Sequence, residues 1–332
     1  MTVSRPAMAI YWTGSCGGCE VAFLNLDEAL LGIGRDWELS FCPCLLDTKR
    51  ADLEAMADGS IAVTLLNGCL RSGENLEMAR LLRLKSRLLV AFGSCADGGG
   101  VPALANEASA AQLLSRICDT AADAVPGQRG DDGTFSPELP APSPLLPRVH
   151  AVAELVDVDY VIPGCPPEPD RLLDAIRTLG MSPLPPRGTV LGCTSRSVCD
   201  DCPREKRNHR PQRLVRSCAI IPEEGWCLLE QGIACMGMAT RGGCGALCPT
   251  VHAPCTGCYG TLDPDAVPVA ASLSALSAAV LPDIPHPADD RTVRELYRAA
   301  LSAVADPLGT LCRYDGARNL AGGTGQSGAD RG

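Results

Sequence analysis

Four cysteines stand in settings that suit metal ligation: Cys16 and Cys19 in Cys-Gly-Gly-Cys-Glu, Cys95 in Gly-Ser-Cys-Ala, and Cys165 in Pro-Gly-Cys-Pro-Pro. Thiolates are the protein ligands of iron–sulfur clusters, and four hold one [4Fe–4S] cube. A second group crowds ten cysteines between Cys193 and Cys258. A chain of 332 residues buries roughly 75% of its unfolded surface, enough to hold a core without disulfides. Its 19 cysteines, an odd number, therefore call for a chemical use. The chemistry they suit is one-electron transfer.

Such ligands must be brought together by the elements that carry them. Met8–Trp12, Trp37–Phe41, Ile61–Leu66, Leu88–Phe92 and Tyr160–Ile162 read as buried strands, while Glu20–Leu31, Gly73–Leu84 and Asp170–Leu179 carry apolar residues at helical spacing. This alternation predicts an α/β fold, a parallel sheet covered on both faces. Ligands of such sheets collect beyond the carboxyl ends of the strands. Cys16 and Cys19 follow the first strand, Cys69 the third, Cys95 the fourth and Cys165 the fifth, so all five are expected on one rim.

Glycine and proline beside these cysteines have a physical purpose. Gly17 and Gly18 let the backbone wrap closely around a cluster edge, and Pro163, Pro166 and Pro167 stiffen the chain on either side of Cys165. A zinc site of four thiolates is the alternative, but zinc draws its ligands as two close pairs. Here one pair joins two isolated cysteines from separate strand ends.

Cys16-Gly-Gly-Cys19-Glu20, Gly93-Ser-Cys95-Ala with Gly99-Gly100-Val-Pro, and Pro163-Gly-Cys165-Pro-Pro167 resemble the proximal-cluster motifs of the small subunit of [NiFe] hydrogenases. The resemblance runs from about residue 8 to 262. It implies a flavodoxin-like first domain whose Cys16, Cys19, Cys95 and Cys165 hold the cluster nearest a Ni–Fe centre on a separate large subunit. The related quinone-reductase subunit of respiratory complex I has an adjacent Cys-Cys pair at the first motif, where this chain has two intervening glycines. Glu20 takes the place of the glutamate that the family uses in a proton path at the subunit interface; a first-turn helix acid is the plainer reading.

After the Pro-rich run Ser182–Arg187, the order Cys199-Asp-Asp-Cys202, Cys227…Cys235-Met-Gly, Cys244…Cys248 and Cys255-Thr-Gly-Cys258 resembles the cytoplasmic methyl-viologen-reducing (F420-non-reducing) and F420-reducing small subunits. Eight cysteines suffice for two further [4Fe–4S] clusters, three in all, and spacing leaves open which cysteines share each. The expected division is a flavodoxin-like domain at 1–185, a ferredoxin-like domain at 190–262, and a C-terminal helix with a flexible tail at 263–332. Cys42, Cys44, Cys69, Cys118, Cys193, Cys218 and Cys312 are left over, with core packing the default for a free thiol. Cys69 departs from it through its place on the rim, where an additional sulfur would tune the cluster.

A net charge of −10 argues against broad nucleic-acid binding. Basic residues outnumber acids between Arg196 and Arg216, a stretch that either docks an acidic acceptor or is simply solvated. No apolar run approaches the ~20 residues of a membrane span, and no leader precedes Met8–Trp12, which points to the cytoplasm. No Walker loop or dinucleotide fingerprint is present. Gly127–Pro147 reads as a surface excursion, Thr292–Val304 as an amphipathic helix, and the tail after Arg318 as disordered. The resemblance implies an electron-transfer subunit, not itself catalytic, between a hydrogenase large subunit and an acceptor subunit linked to a heterodisulfide reductase, F420 or NAD. An F420-reducing version, a complex I-like or ferredoxin-type carrier, and a zinc protein are the rivals.

Overall fold

A computed structural model describes residues 5–113, 116, 143–263, 266–302, 304 and 306–320. Seven strands form among them: β1 (Ala7–Trp12), β2 (Glu38–Phe41), β3 (Ile61–Asn67), β4 (Leu70–Ser72), β5 (Ser86–Phe92), β6 (Leu145–His150) and β7 (Tyr160–Ile162). Along β1, Met8 and Ile10 pack on one face of the sheet and Ala9 on the other. On β3, Val63 and Leu65 join the first face and Leu66 the second. This is the period of two that an extended chain imposes. Both faces are apolar, so helices cover both. Phe23, Leu172 and Ile176 pack on the first face, and Leu53, Met78 and Leu82 on the second.

The main sheet has the order β2-β1-β3-β5-β7, every pair parallel. Counted among themselves these five strands run 2-1-3-4-5, the flavodoxin-like winding. Its covering helices are α1 (Gly18–Leu24), α2 (Ala29–Asp36), α3 (Arg50–Ala55), α4 (Gly73–Lys85), α5 (Ser94–Gly98) and α6 (Pro169–Leu179).

The segment expected as one helix over Glu20–Leu31 is two. Asp27, at φ 48°, turns left-handed between α1 and α2, a conformation that aspartate tolerates better than most side chains. Leu26 is buried at the break, so core packing overrides the continuous helical pattern. Of the expected excursion Gly127–Pro147, residues 127–142 lie outside the described residues, while Leu145–Pro147 belong to β6, antiparallel to β4. Pro147 fits there because β6 pairs on one side only. The Pro-rich run Ser182–Arg187 is not a loose tether. Tyr160 Oη donates to the Pro185 carbonyl at 2.7 Å, and Leu191 N–H donates to Val161 O at 2.7 Å, which lays the following chain along β7.

Beyond residue 190 regular structure is sparse: α7 (Val198–Asp201) and α8 (Leu247–Thr250) are single turns, followed by α9 (Pro268–Ala279), α10 (Asp290–Leu301), α11 (Pro307–Leu311) and α12 (Gly316–Asn319). The amphipathic helix expected at Thr292–Val304 starts earlier, because Asp289 accepts from Thr292 N–H at 2.8 Å and caps it. Leu276, Val280 and Ala300 share one buried cluster with Val198, Leu214 and Met236, so these later helices pack onto the cysteine-rich segment. After Arg318 the chain stays helical to Asn319, and residues 321–332 lie outside the described residues. Among the described residues no helix is long and apolar enough to cross a membrane.

Candidate metal centre

The carboxyl ends of β1, β5 and β7 lie side by side, because each strand pairs directly or through β3 with the next. Cys16 and Cys19 leave β1 into α1, Cys95 sits in the first turn of α5 directly after β5, and Cys165 follows β7. Backbone bonds tie these loops together: Gly93 N–H donates to Ile162 O at 2.7 Å and Ser94 N–H to Gly164 O at 2.8 Å. Gly93 is required by close approach, since a Cβ there would lie 2.5 Å from Cys19 Sγ, and its φ of 85° is left-handed. Gly100 does the same for Cys95, whose Sγ lies 2.5 Å from where a Cβ would stand.

The four thiols feel one another. Burial, then the neighbouring charges of Cys95, Glu20, Cys165 and Cys16, pushes the Cys19 thiol far above its ordinary range. Cys95 is pushed up to about 12 by burial and then by Cys69, Cys165 and Cys16. Burial and Cys16 raise Cys165, against which the Arg313 cation works. Crowded thiolates that repel each other need cationic metal to stay ionised together. Among the described residues every cysteine is a free thiol, and no three His, Cys, Asp or Glu side chains close around a point as ligands of a single ion do. A cubane, which spreads its four thiolates over four irons, fits this donor set.

Glu20 lies at the start of α1, where Asn67 Nδ2, at the end of β3, donates to its Oε1. Glu20 Oε2 and Asn67 Oδ1 are buried without a hydrogen-bond partner among the described residues. Sequence reasoning missed Asn67, whose only signal was a polar residue ending an apolar strand. Cys69 reaches the rim as expected, but its Sγ donates to Gly14 O at 3.2 Å, and paired backbone bonds with Gly14 pin the loop after β1. Burial pushes that thiol up to about 11.

The second group divides. Cys199, Cys202, Cys227 and Cys235 line one small cavity together with Leu228, Leu229 and Gly237. Burial and the charge of Cys235 push Cys199 up to about 12. Cys258 is raised to about 12 by burial and then by the charges of Cys244, Cys165 and Cys248. Cys255 N–H reaches Cys235 Sγ at 3.3 Å. Cys193 turns its thiol to Val190 O at 3.4 Å, and Cys218 is exposed. Arg204 holds this segment together, donating to Pro249 O at 2.8 Å and Trp226 O at 2.9 Å and meeting His252 Nδ1 at 2.9 Å. Part of the basic stretch is matched by acids at the surface: Arg196 pairs with Asp201, and Arg207 with Glu205 and Glu223.

Two clasps join the groups. Ser94 Oγ, beside Cys95, donates to Cys258 O at 2.7 Å, and Glu168 N–H donates to Tyr259 Oη at 3.0 Å. A third contact comes from the C-terminal segment, which sequence reasoning missed for want of any motif. Tyr314 Oη bonds Thr256 Oγ1 at 3.0 Å, its carbonyl packs against Gly98, and Arg318 pairs with Asp97 at 2.8 Å.

Residues 16–179 match the family described as NADH ubiquinone oxidoreductase, 20 Kd subunit. The chain is 36% identical over 269 residues to the iron-sulfur subunit of the F420-non-reducing hydrogenase of Archaeoglobus profundus, covering 77% of this chain and 83% of that one. It is 37% identical over 250 residues to a vhu subunit of the F420-non-reducing hydrogenase of Methanococcus voltae, covering 75% and 79%. Among solved structures, the Dm. baculatum [NiFeSe]-hydrogenase matches in fold with a TM-score of 0.52 at 18% identity, over 85% of this chain and all of that one.

Proposed function

The chain belongs to the hydrogenase small-subunit family represented by the iron-sulfur subunits of F420-non-reducing hydrogenases, and from that premise we propose how its residues serve electron transfer. Three [4Fe–4S] clusters, when bound, supply one-electron transfer between a large subunit that oxidises H2 at a Ni–Fe centre and an acceptor subunit. Cys16, Cys19, Cys95 and Cys165 hold the proximal one. The observation that carries this reading is the meeting of cysteines from three strand ends on one rim, with Gly93 and Gly100 leaving room for the sulfurs.

Cys199, Cys202, Cys227 and Cys235 form a second set, supported by the cavity they share. Cys244, Cys248, Cys255 and Cys258 form a third, which Cys258 brings nearest the proximal set. Cys193 stays outside both, its thiol turned to Val190 O at 3.4 Å. The proposed division is a flavodoxin-like part at 1–185, a ferredoxin-like part at 190–262 and a tail at 263–332, with the protein in the cytoplasm, where thiols stay reduced.

Glu20 lies on the proton route to the large subunit. Asn67 fixes one carboxylate oxygen, and the unpartnered Glu20 Oε2 and Asn67 Oδ1 await groups of that partner. The acceptor docks over the Cys199–Cys227 cage, where Lys206, His209 and Arg210 line a neighbouring groove and Ile221 is 98% exposed. Anaerobic co-expression with a [NiFe] large subunit tests the whole: the two chains co-purify with about twelve irons and equal acid-labile sulfide per small subunit, and zinc in place of iron overturns the reading.

A further inference from the structure

The turn after β2, the edge strand beside β1, carries Cys42-Pro43-Cys44, a pair that the electron-transfer reading does not use. Cys42 Sγ and Cys44 Sγ lie 3.3 Å apart. A disulfide bond is about 2.05 Å long, so bonding needs an approach of roughly 1.3 Å. The turn is held firmly, with the N–H groups of Leu45 and Leu46 donating to Cys42 O at 2.9 and 2.8 Å. The two thiols differ in access. Cys44 is exposed, whereas Cys42 is buried in the cluster that contains Ile10, Phe23 and Trp37. A reagent from solution therefore meets Cys44 alone, and the thiol placed to act on the product is Cys42. Burial, and then the Cys44 thiol beside it, holds the Cys42 thiol up to about 12, with the backbone N–H groups of Cys44 and Leu45 working against that.

We propose that Cys42 and Cys44 form a redox-active dithiol that exchanges with small-molecule disulfides. Cys44 thiolate attacks one sulfur of the disulfide, forms a mixed disulfide and releases one thiolate. Cys42, deprotonated to solvent, then attacks Cys44 Sγ, closes the Cys42–Cys44 bond and expels the second thiolate. Two cysteine thiols are oxidised, and one external disulfide is reduced to two thiols. No iron takes part, so the site stands independently of the cluster assignment.

Full-length protein prepared anaerobically is incubated with glutathione disulfide, alkylated, digested and analysed by mass spectrometry. In the unsubstituted protein the peptide carrying both cysteines loses two hydrogens, escapes alkylation, and recovers it after dithiothreitol. Exposed Cys218 retains a glutathione adduct and reports that the reagent is active. Cys42→Ser retains the adduct at Cys44 because nothing resolves it. Cys44→Ser, at an exposed position that does not threaten folding, carries no bond and no adduct at Cys42. The proposal is overturned if Cys44 retains its adduct equally with and without Cys42, or if both thiols stay alkylatable while Cys218 is modified.

Discussion

The two cysteine groups are held in different ways. On the sheet rim, the proposed ligands hang from strand ends whose positions are fixed by parallel pairing and by apolar layers on both faces. Past residue 190 the proposed ligands lie in loops with two single-turn helices, and Cys235 and Cys255 are themselves buried members of the small core. On the proposed reading, the rim is a scaffold that receives its cofactor, while the second segment uses its ligands as core. Metal binding would then be folding free energy mainly in the second segment.

That contrast can be broken at several points. The largest effect comes from iron removal: anaerobic chelation leaves residues 7–113 protected and opens 199–258 to protease, which limited proteolysis with mass spectrometry reads directly. Equal cleavage of both regions would erase the distinction. Gly93→Ala comes next, because the added Cβ collides with Cys19 Sγ; about four of twelve irons are lost, the proximal paramagnetic signal disappears, and the other two remain. The smallest effect is Tyr314→Phe. Losing its bond to Thr256 costs about 1 kcal/mol, equivalent to roughly fivefold faster amide exchange in residues 312–318, with iron content unchanged.

The rim was legible in the sequence because each step rests on a local signal. Short apolar runs marked the strands, and the parallel grammar placed Cys16, Cys19, Cys95 and Cys165 at their carboxyl ends. The break at Asp27 was hidden because Leu26 and Leu30 fit a continuous helical stripe, and only tertiary packing favours the turn. β6 was hidden by Pro147 and by its partner β4 lying more than seventy residues earlier. In the second segment spacing alone left the eight cysteines undivided. The cavity that groups Cys199 and Cys202 with Cys227 and Cys235 is made by long-range contacts such as those of Arg204, which no sequence period encodes. Tyr314 and Arg318 were silent for the same reason: their meaning lies in Thr256 and Asp97.

The central claim is that cysteines from three separate strand ends grip one cluster. It is tested most directly by iron analysis and low-temperature EPR of Cys165→Ser beside the unsubstituted protein, both prepared anaerobically. The account predicts a loss of about four irons and of one reduced-cluster signal, with the sheet intact by circular dichroism. Unchanged iron and an unchanged set of signals would contradict it.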